Sequence, residues 1–235
     1  MAFLPPALYP YNIERQGDIM AESSLTFYHA PQTRSTGVRI LLEELGAPFH
    51  LQLVNMKAGE QRKPAFLAVN PMGKVPAIRH GGTLVTEQVA IFIYLADYFA
   101  ERELAPGLKD PLRGSYLRWM VFYASCFEPA VTDKFMKRDA GDARSSPYGT
   151  YGDVIGAIIR QLEAGPYMLG TRFSAADILW GMALRWTRMF GIVEPHPTID
   201  SYVARMTQRP AFAKVDSEDA TLAAEHEKAA SVTPA

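Results

Sequence analysis

The chain has 235 residues, 48% of them hydrophobic and 21% charged, with a net charge of −1. That is enough apolar material for one large domain or two ordinary ones, and it leaves no net field to draw in nucleic acid or an anionic membrane surface. The single cysteine, Cys126, excludes an intramolecular disulfide, and without a CxxC or Cys/His cluster the sequence offers no metal site, which together favour a reducing compartment such as the cytoplasm.

Residues 1–23 lack a leading Lys or Arg and are interrupted by Pro5 and Pro6, so they read as an arm rather than a signal peptide. Tyr9, Tyr11 and Ile13 are its residues suited to packing on the body. No apolar run approaches the roughly 20 residues needed to span a bilayer. Ordered sequence begins near Leu25, where Leu-Thr-Phe-Tyr-His is a short strand ended by Ala30-Pro31. From Ser35, Val38, Leu41, Leu42 and Leu45 fall on one helical face that Gly46 closes. Residues 50–56 form a second strand, which completes a βαβ unit. A short helix over 63–69, a turn at Asn70-Pro71-Met72-Gly73, and a hairpin around Gly81-Gly82 follow. Glu87 then opens a helix with Val89, Ile91, Ile93, Tyr94, Leu95 and Tyr98 on its apolar side. The order βαβ-α-ββα fills 24–100, and the polar, proline-containing stretch 101–110 reads as a linker.

Beyond the linker no strand signal competes with helix. Asp110 before Pro111 predicts a capped helix start, and Pro129 predicts a bend or break in the long amphipathic run that follows. Residues 140–153 are a loop, and Val154, Ile155, Ile158, Ile159 and Leu162 form a helical stripe stopped by Gly165. Further helices are expected near 174–189, 198–208 and 211–227, with 228–235 a fraying tail. The helical domain is therefore placed at 111–227.

Four local signals matter, three with a candidate chemistry and the fourth structural. Val75-Pro76 opens the third strand; with a cis bond, Val75 would present its N–H and C=O to an extended peptide, whereas a trans bond makes it an ordinary turn. Glu87-Gln88 opens a helix, whose free N–H groups suit a ligand carboxylate, with a buried acid beside them for an amino group. Complementing the helix dipole is the plain alternative for Glu87. The loop Ala30-Pro31-Gln32-Thr33-Arg34-Ser35 puts hydroxyls before a helix, where they would lower a bound thiol's pKa, or Ser35 would serve only as a cap. Phe173-Ser174-Ala175-Ala176-Asp177-Ile178 is a capping box with a hydrophobic staple.

Taken in order, these segments resemble the glutathione S-transferase superfamily, over roughly Leu25 to Ala213. Asn70 to Ala77 is similar to its NPxGxVPxL segment, Glu87 to Leu95 to its ESxAIxxYL helix, and Pro166 to Leu179 to its PYLLG–FSxAD stretch. The resemblance implies a thioredoxin-like α/β domain for glutathione followed by an all-α domain. By position it implies that Val75, ahead of cis Pro76, pairs with the cysteinyl part of glutathione, with Lys74 alongside. Glu87 would bind the γ-glutamyl ammonium, and the Gln88 N–H its carboxylate, although the family usually has serine at Gln88. Serine-using members place the catalytic serine four residues before an arginine; counting back from Arg39 gives Ser35, and Thr33 is the second candidate. Beta-class members carry a reactive cysteine where this chain has Arg34, and a His-Lys pair where it has Glu128-Pro129. The chain thus reads as a serine-type, beta/theta-like relative, with Arg34 near the sulfur favouring thiolate.

The implied activity is attack of glutathione, as the thiolate, on a small apolar electrophile, with no metal and in a homodimer. A glutathione-returning isomerase or lyase, and a non-catalytic binding protein, are the alternatives. Tyr116, Trp119, Met120 and Tyr123, with Phe127, are candidates for the acceptor site, against a plain core role for an aromatic stripe. Cys126 reads as a buried apolar residue and His29 as structural.

Overall fold

Alternation of Leu25, Phe27 and His29 inward with Thr26 and Tyr28 half-buried builds the first strand of the computed structural model, which describes residues 24–232. The arm 1–23, with Tyr9, Tyr11 and Ile13, lies outside those residues. β1 (Leu25–His29) pairs in parallel with β2 (His50–Leu53), shorter than expected, and antiparallel with β3 (Ala77–His80), which pairs antiparallel with β4 (Thr83–Thr86). The sheet order is β2-β1-β3-β4, with Phe27 opposite Leu51 on one side and Ile78 on the other. α1 (Ser35–Leu45) closes the βαβ unit and ends as its sequence predicts, at Gly46 with φ 59°. α2 (Pro64–Leu67) and α3 (Gln88–Tyr98) complete the thioredoxin-like part.

The helical part contains α4 (Arg113–Phe122), α5 (Glu128–Met136), α6 (Tyr151–Glu163), α7 (Ala175–Met189), α8 (Pro197–Thr207) and α9 (Pro210–Val232). Two expectations change here. Asp110 is not the cap of α4: its carboxylate accepts from Leu112 N at 2.8 Å and from Arg172 at 2.6 Å, and the helix begins at Arg113. Residues 228–232 continue α9 rather than fray; just before them Asn55 Nδ2 donates 3.1 Å to His226 O and Lys57 pairs with Glu227, while Lys214 with Glu43 and Arg39 with Glu218 tie the first half of α9 to α1. The interruption expected near Pro129 is a π-helical turn over Tyr123–Phe127. Proline gives no N–H to the ladder and crowds the carbonyl four residues back, which the wider turn relieves.

α1 is buried on every face except at Glu43 and Glu44, since the sheet and α3 cover one side and α7 and α9 the other. The helical core is centred on Trp180, whose indole N–H donates to Trp119 O at 3.1 Å with Phe127 packed against its ring at 5.0 Å. The stretch 101–110 is tied in, with Leu104 buried and its carbonyl accepting from Ala175 N. Where α7 crosses α8 and α9, a Cβ on Gly181 would sit 2.8 Å from Met206 Cβ. Helix propensity alone would make Gly181→Ala stabilising by about 1 kcal/mol. The close crossing reverses the sign, and thermal denaturation should show a net loss of about 1–3 kcal/mol from overpacking.

Candidate functional site

The turn between β1 and α1 brings its hydroxyls together. Gln32 takes a left-handed φ of 57°, held by its N–H donating 3.3 Å to Asp219 Oδ2 of α9. Thr33 follows half-buried; its Oγ1 accepts from Ser35 N at 3.2 Å and lies 2.7 Å from Ser35 Oγ. Thr33 and Arg34, with Gly37, Lys74 and Gln88, form the polar end of a cavity of about 510 Å³, a volume typical of small-molecule sites. Ser35 does not reach that cavity. It is fully buried, its Oγ within 2.8 Å of His29 Nδ1, 2.9 Å of Ala30 O and 3.1 Å of Ala30 N. Nor is it the cap of α1, a position Arg34 occupies. The carry-over by spacing from Arg39 therefore lands one layer beneath the surface that a ligand meets.

Beneath Ser35 lies an ionisable cluster. His29 Nε2 is 2.9 Å from Asp219 Oδ1, which also accepts from Arg39 Nη1 at 2.8 Å, while Thr36 Oγ1 donates 2.6 Å to Asp219 Oδ2. Burial pushes the His29 imidazole below its usual value, and the neighbouring Asp219 only partly offsets this. Burial works against ionised Asp219 as well, but its bonds from His29, Thr36 and Arg39 together hold it below the usual range.

At the cavity wall a second network closes into a ring. Arg34 Nε donates to both Glu128 oxygens at 3.0 Å, and its Nη2 also donates to Oε2. Tyr123 Oη lies 2.5 Å from Glu128 Oε1 and 3.1 Å from Gln88 Oε1, and Gln88 Nε2 donates 2.9 Å to Arg34 O. Tyrosine has one hydroxyl hydrogen, which goes to the charged and nearer carboxylate. Burial pushes Tyr123 well above the ordinary phenol range and keeps that hydrogen in place. Arg34 is thus neutralised by Glu128, so its charge does less for a nearby thiolate than the sequence suggested.

The remaining expected positions lie on two element starts. The Val75–Pro76 bond is cis. Lys74 and Val75 are held by Asn70, whose buried amide donates 2.8 Å to Lys74 O while its Oδ1 accepts from Met72 N. Gly73 at φ 61° makes that turn possible, since a Cβ there would meet Gln61 O at 2.7 Å. Glu87 precedes α3 with φ 65° and ψ 118°, a conformation that costs a non-glycine residue of order 1–3 kcal/mol and that clusters at ligand sites. It is exposed, not the buried acid expected.

Of the acceptor candidates, Tyr123 lines the cavity, as does Phe127, while Tyr116, Trp119 and Met120 are buried at 1% exposure or less, away from it. For those three the plain core role holds. Cys126 is half-buried rather than buried. The apolar end of the cavity comes instead from Val131 and Phe135 of α5 and Leu179, Met182 and Trp186 of α7, with Phe190 beyond. Positions 179, 182, 186 and 190 recur every three or four residues, a stripe visible in the sequence that the reading passed over. Phe135, Met136 and Phe190 are 64%, 52% and 58% exposed at the mouth, where an apolar molecule would enter.

A thioredoxin-like sheet with the turn before α1, Lys74 and the start of α3 lining one cavity, closed by apolar helices, is the arrangement of glutathione transferase-like folds; Val75, Pro76 and Glu87 do not line the cavity themselves. Residues 23–97 match the family model described as the glutathione S-transferase N-terminal domain, and relatives and solved structures of the glutathione S-transferase superfamily match most of the chain. It is 28% identical over 189 residues to glutathione S-transferase GstA of Escherichia coli O157:H7, covering 79% of this chain and 94% of that one. Among solved structures, a glutathione transferase from Methylococcus capsulatus is 28% identical with a TM-score of 0.71, over 84% of this chain and 99% of that one. A sphingomonad glutathione S-transferase complexed with glutathione is also 28% identical, with a TM-score of 0.70, over 83% and 98%.

Proposed function

We propose that this chain is a glutathione transferase in which Thr33 Oγ1 holds the glutathione sulfur as a thiolate for attack on a small apolar electrophile in the same cavity. One observation carries the reading: Thr33 is the hydroxyl at the start of α1 that lines a cavity polar at one end and apolar at the other. A hydroxyl donor and the positive end of an 11-residue helix both favour the charged form of a thiol. Holding both reactants together supplies the proximity term. In this reading 24–100 binds glutathione and 111–227 supplies the electrophile's pocket. Val75 pairs with the cysteinyl backbone, Glu87 takes the γ-glutamyl ammonium, the Gln88 N–H its carboxylate, and Lys74 a carboxylate at the cavity edge. The Gln88 side chain is committed to Arg34 O and faces Tyr123, so its backbone alone serves the ligand. A homodimer in the cytoplasm belongs to the same reading.

An ultraviolet difference titration of bound glutathione across pH tests it. The bound thiol should titrate at least one unit below the roughly 8.5 of a free thiol. Calorimetric binding without thiolate would favour a non-catalytic glutathione-binding protein, and no binding would end the proposal. If thiolate forms but glutathione returns unconjugated from turnover, an isomerase or lyase replaces the transferase.

A further inference from the structure

The buried groups behind Thr33 are arranged as a wire. Asp219, His29, Ser35 and Thr33 are linked in that order by contacts of 2.9, 2.8 and 2.7 Å, from the middle of α9 to the cavity wall. Asp219, His29 and Ser35 are at most 3% exposed, so no bulk water competes along the way. We propose that this chain is a proton relay: the thiol proton of glutathione passes through Thr33 and Ser35 to His29 Nδ1, and Asp219 holds the imidazolium that results. The inference rests on the reading that Thr33 meets the sulfur.

Hydrogen counting gives the relay its direction. Asp219, ionised, accepts from Arg39, Thr36 and the Gln32 N–H, so the His29 nitrogen facing it, Nε2, carries a hydrogen. In the neutral ring Nδ1 is then bare, and the hydrogen that can fill its 2.8 Å contact is that of the Ser35 hydroxyl. With Ser35's hydrogen used there, the 2.7 Å contact takes Thr33's, in place of its alternative acceptor Ala30 O at 2.8 Å; Ser35 N fills one Thr33 lone pair and the second is left for a ligand. An arriving S–H donates to that lone pair. On transfer the S–H bond breaks, Thr33 keeps the incoming hydrogen and passes its own to Ser35, and Ser35 passes its own to Nδ1, forming the N–H bond. One proton has left sulfur, one has reached the ring, and both hydroxyls are restored with their hydrogens reversed, Thr33 now donating to the thiolate. The groups facing His29 are Asp219 and His226 from α9 and Arg39 from α1, and burial keeps the ring neutral and receptive beforehand.

The test is a proton inventory on the wild-type protein: calorimetric titration with glutathione near neutral pH in buffers of different ionisation enthalpy, beside the thiolate absorbance. The relay predicts thiolate formation with almost no proton reaching the buffer, and a His29 Nδ1 nitrogen resonance that moves to its protonated position. Ser35→Ala and His29→Gln, if folded by circular dichroism, should release about one proton per thiolate formed, or form less thiolate. Thiolate with about one proton released by wild type, and an unmoved His29 resonance, would overturn the relay and leave the Thr33 reading standing. Absence of thiolate in wild type would overturn both.

Discussion

Thr33→Val should lower kcat by about 100-fold while leaving glutathione affinity within a few-fold, a loss of about 2.7 kcal/mol of transition-state stabilisation. Valine keeps the branched shape of threonine and removes only the hydroxyl. The fold should tolerate the change, because Thr33 is half-buried in a turn rather than in the core. The cost falls on kcat because the thiolate is stabilised after binding, whereas binding itself is assigned to backbone pairing at Val75 and to the start of α3. Thr33→Ser, which restores a hydroxyl, should recover most of the rate. Steady-state kinetics with a generic aromatic electrophile, alongside the ultraviolet titration, check both variants. If Thr33→Val retains full activity, the sulfur lies against some other group and Thr33 is only part of the turn.

The choice between Thr33 and Ser35 shows where sequence reading stops. Spacing from Arg39 picks Ser35, but which hydroxyl faces the cavity depends on Gln32 taking a left-handed conformation, and that is fixed by Asp219, distant in the chain. No local pattern announces such a contact. The βαβ-α-ββα order was legible because Ala30-Pro31, Gly46 and Gly81-Gly82 delimit its elements, and each acts locally through φ or a missing N–H. α9 was legible only in part, since its last turns are held by contacts from far along the chain, Asn55 to His226 O and Lys57 to Glu227, rather than by an apolar stripe. Of the aromatic run that begins in α4, Tyr116 and Trp119 turn into the core while Tyr123 and Phe127 line the cavity. Periodicity says which side chains share a face, and only packing says whether that face meets Trp180 or the cavity.

The capping box of α7 was legible in full, and the stability effect expected from it is the largest. Asp177 is fully buried, and its carboxylate accepts from Met168 N at 2.7 Å, Ser174 N at 2.9 Å and Tyr202 Oη at 3.0 Å. Asp177→Ala strands two backbone N–H groups in the core and leaves the Tyr202 phenol only the backbone carbonyl of residue 177, at 3.2 Å, so denaturant unfolding should show a loss of about 3–5 kcal/mol. Its pH dependence runs opposite to that of a surface carboxylate. Burial outweighs these bonds and pushes Asp177 up to about 6, above the 3.8 of an unperturbed aspartate. Between those values the folded state binds the proton more tightly than the unfolded chain. Asp177 therefore contributes its full stability below pH 3.8 and loses part of it as pH rises through about 6. Protonation suits the geometry, because Oδ2 lies 3.1 Å from the Ser174 hydroxyl and can donate to it once protonated. Asp177→Asn cannot titrate, so subtracting its stability profile from that of wild type isolates this group from the other carboxylates. The gap between the two proteins should narrow by about 1–3 kcal/mol from pH 4 to pH 7. A gap that widens over that range would mean that the three donors outweigh burial and that Asp177 is held ionised in the core.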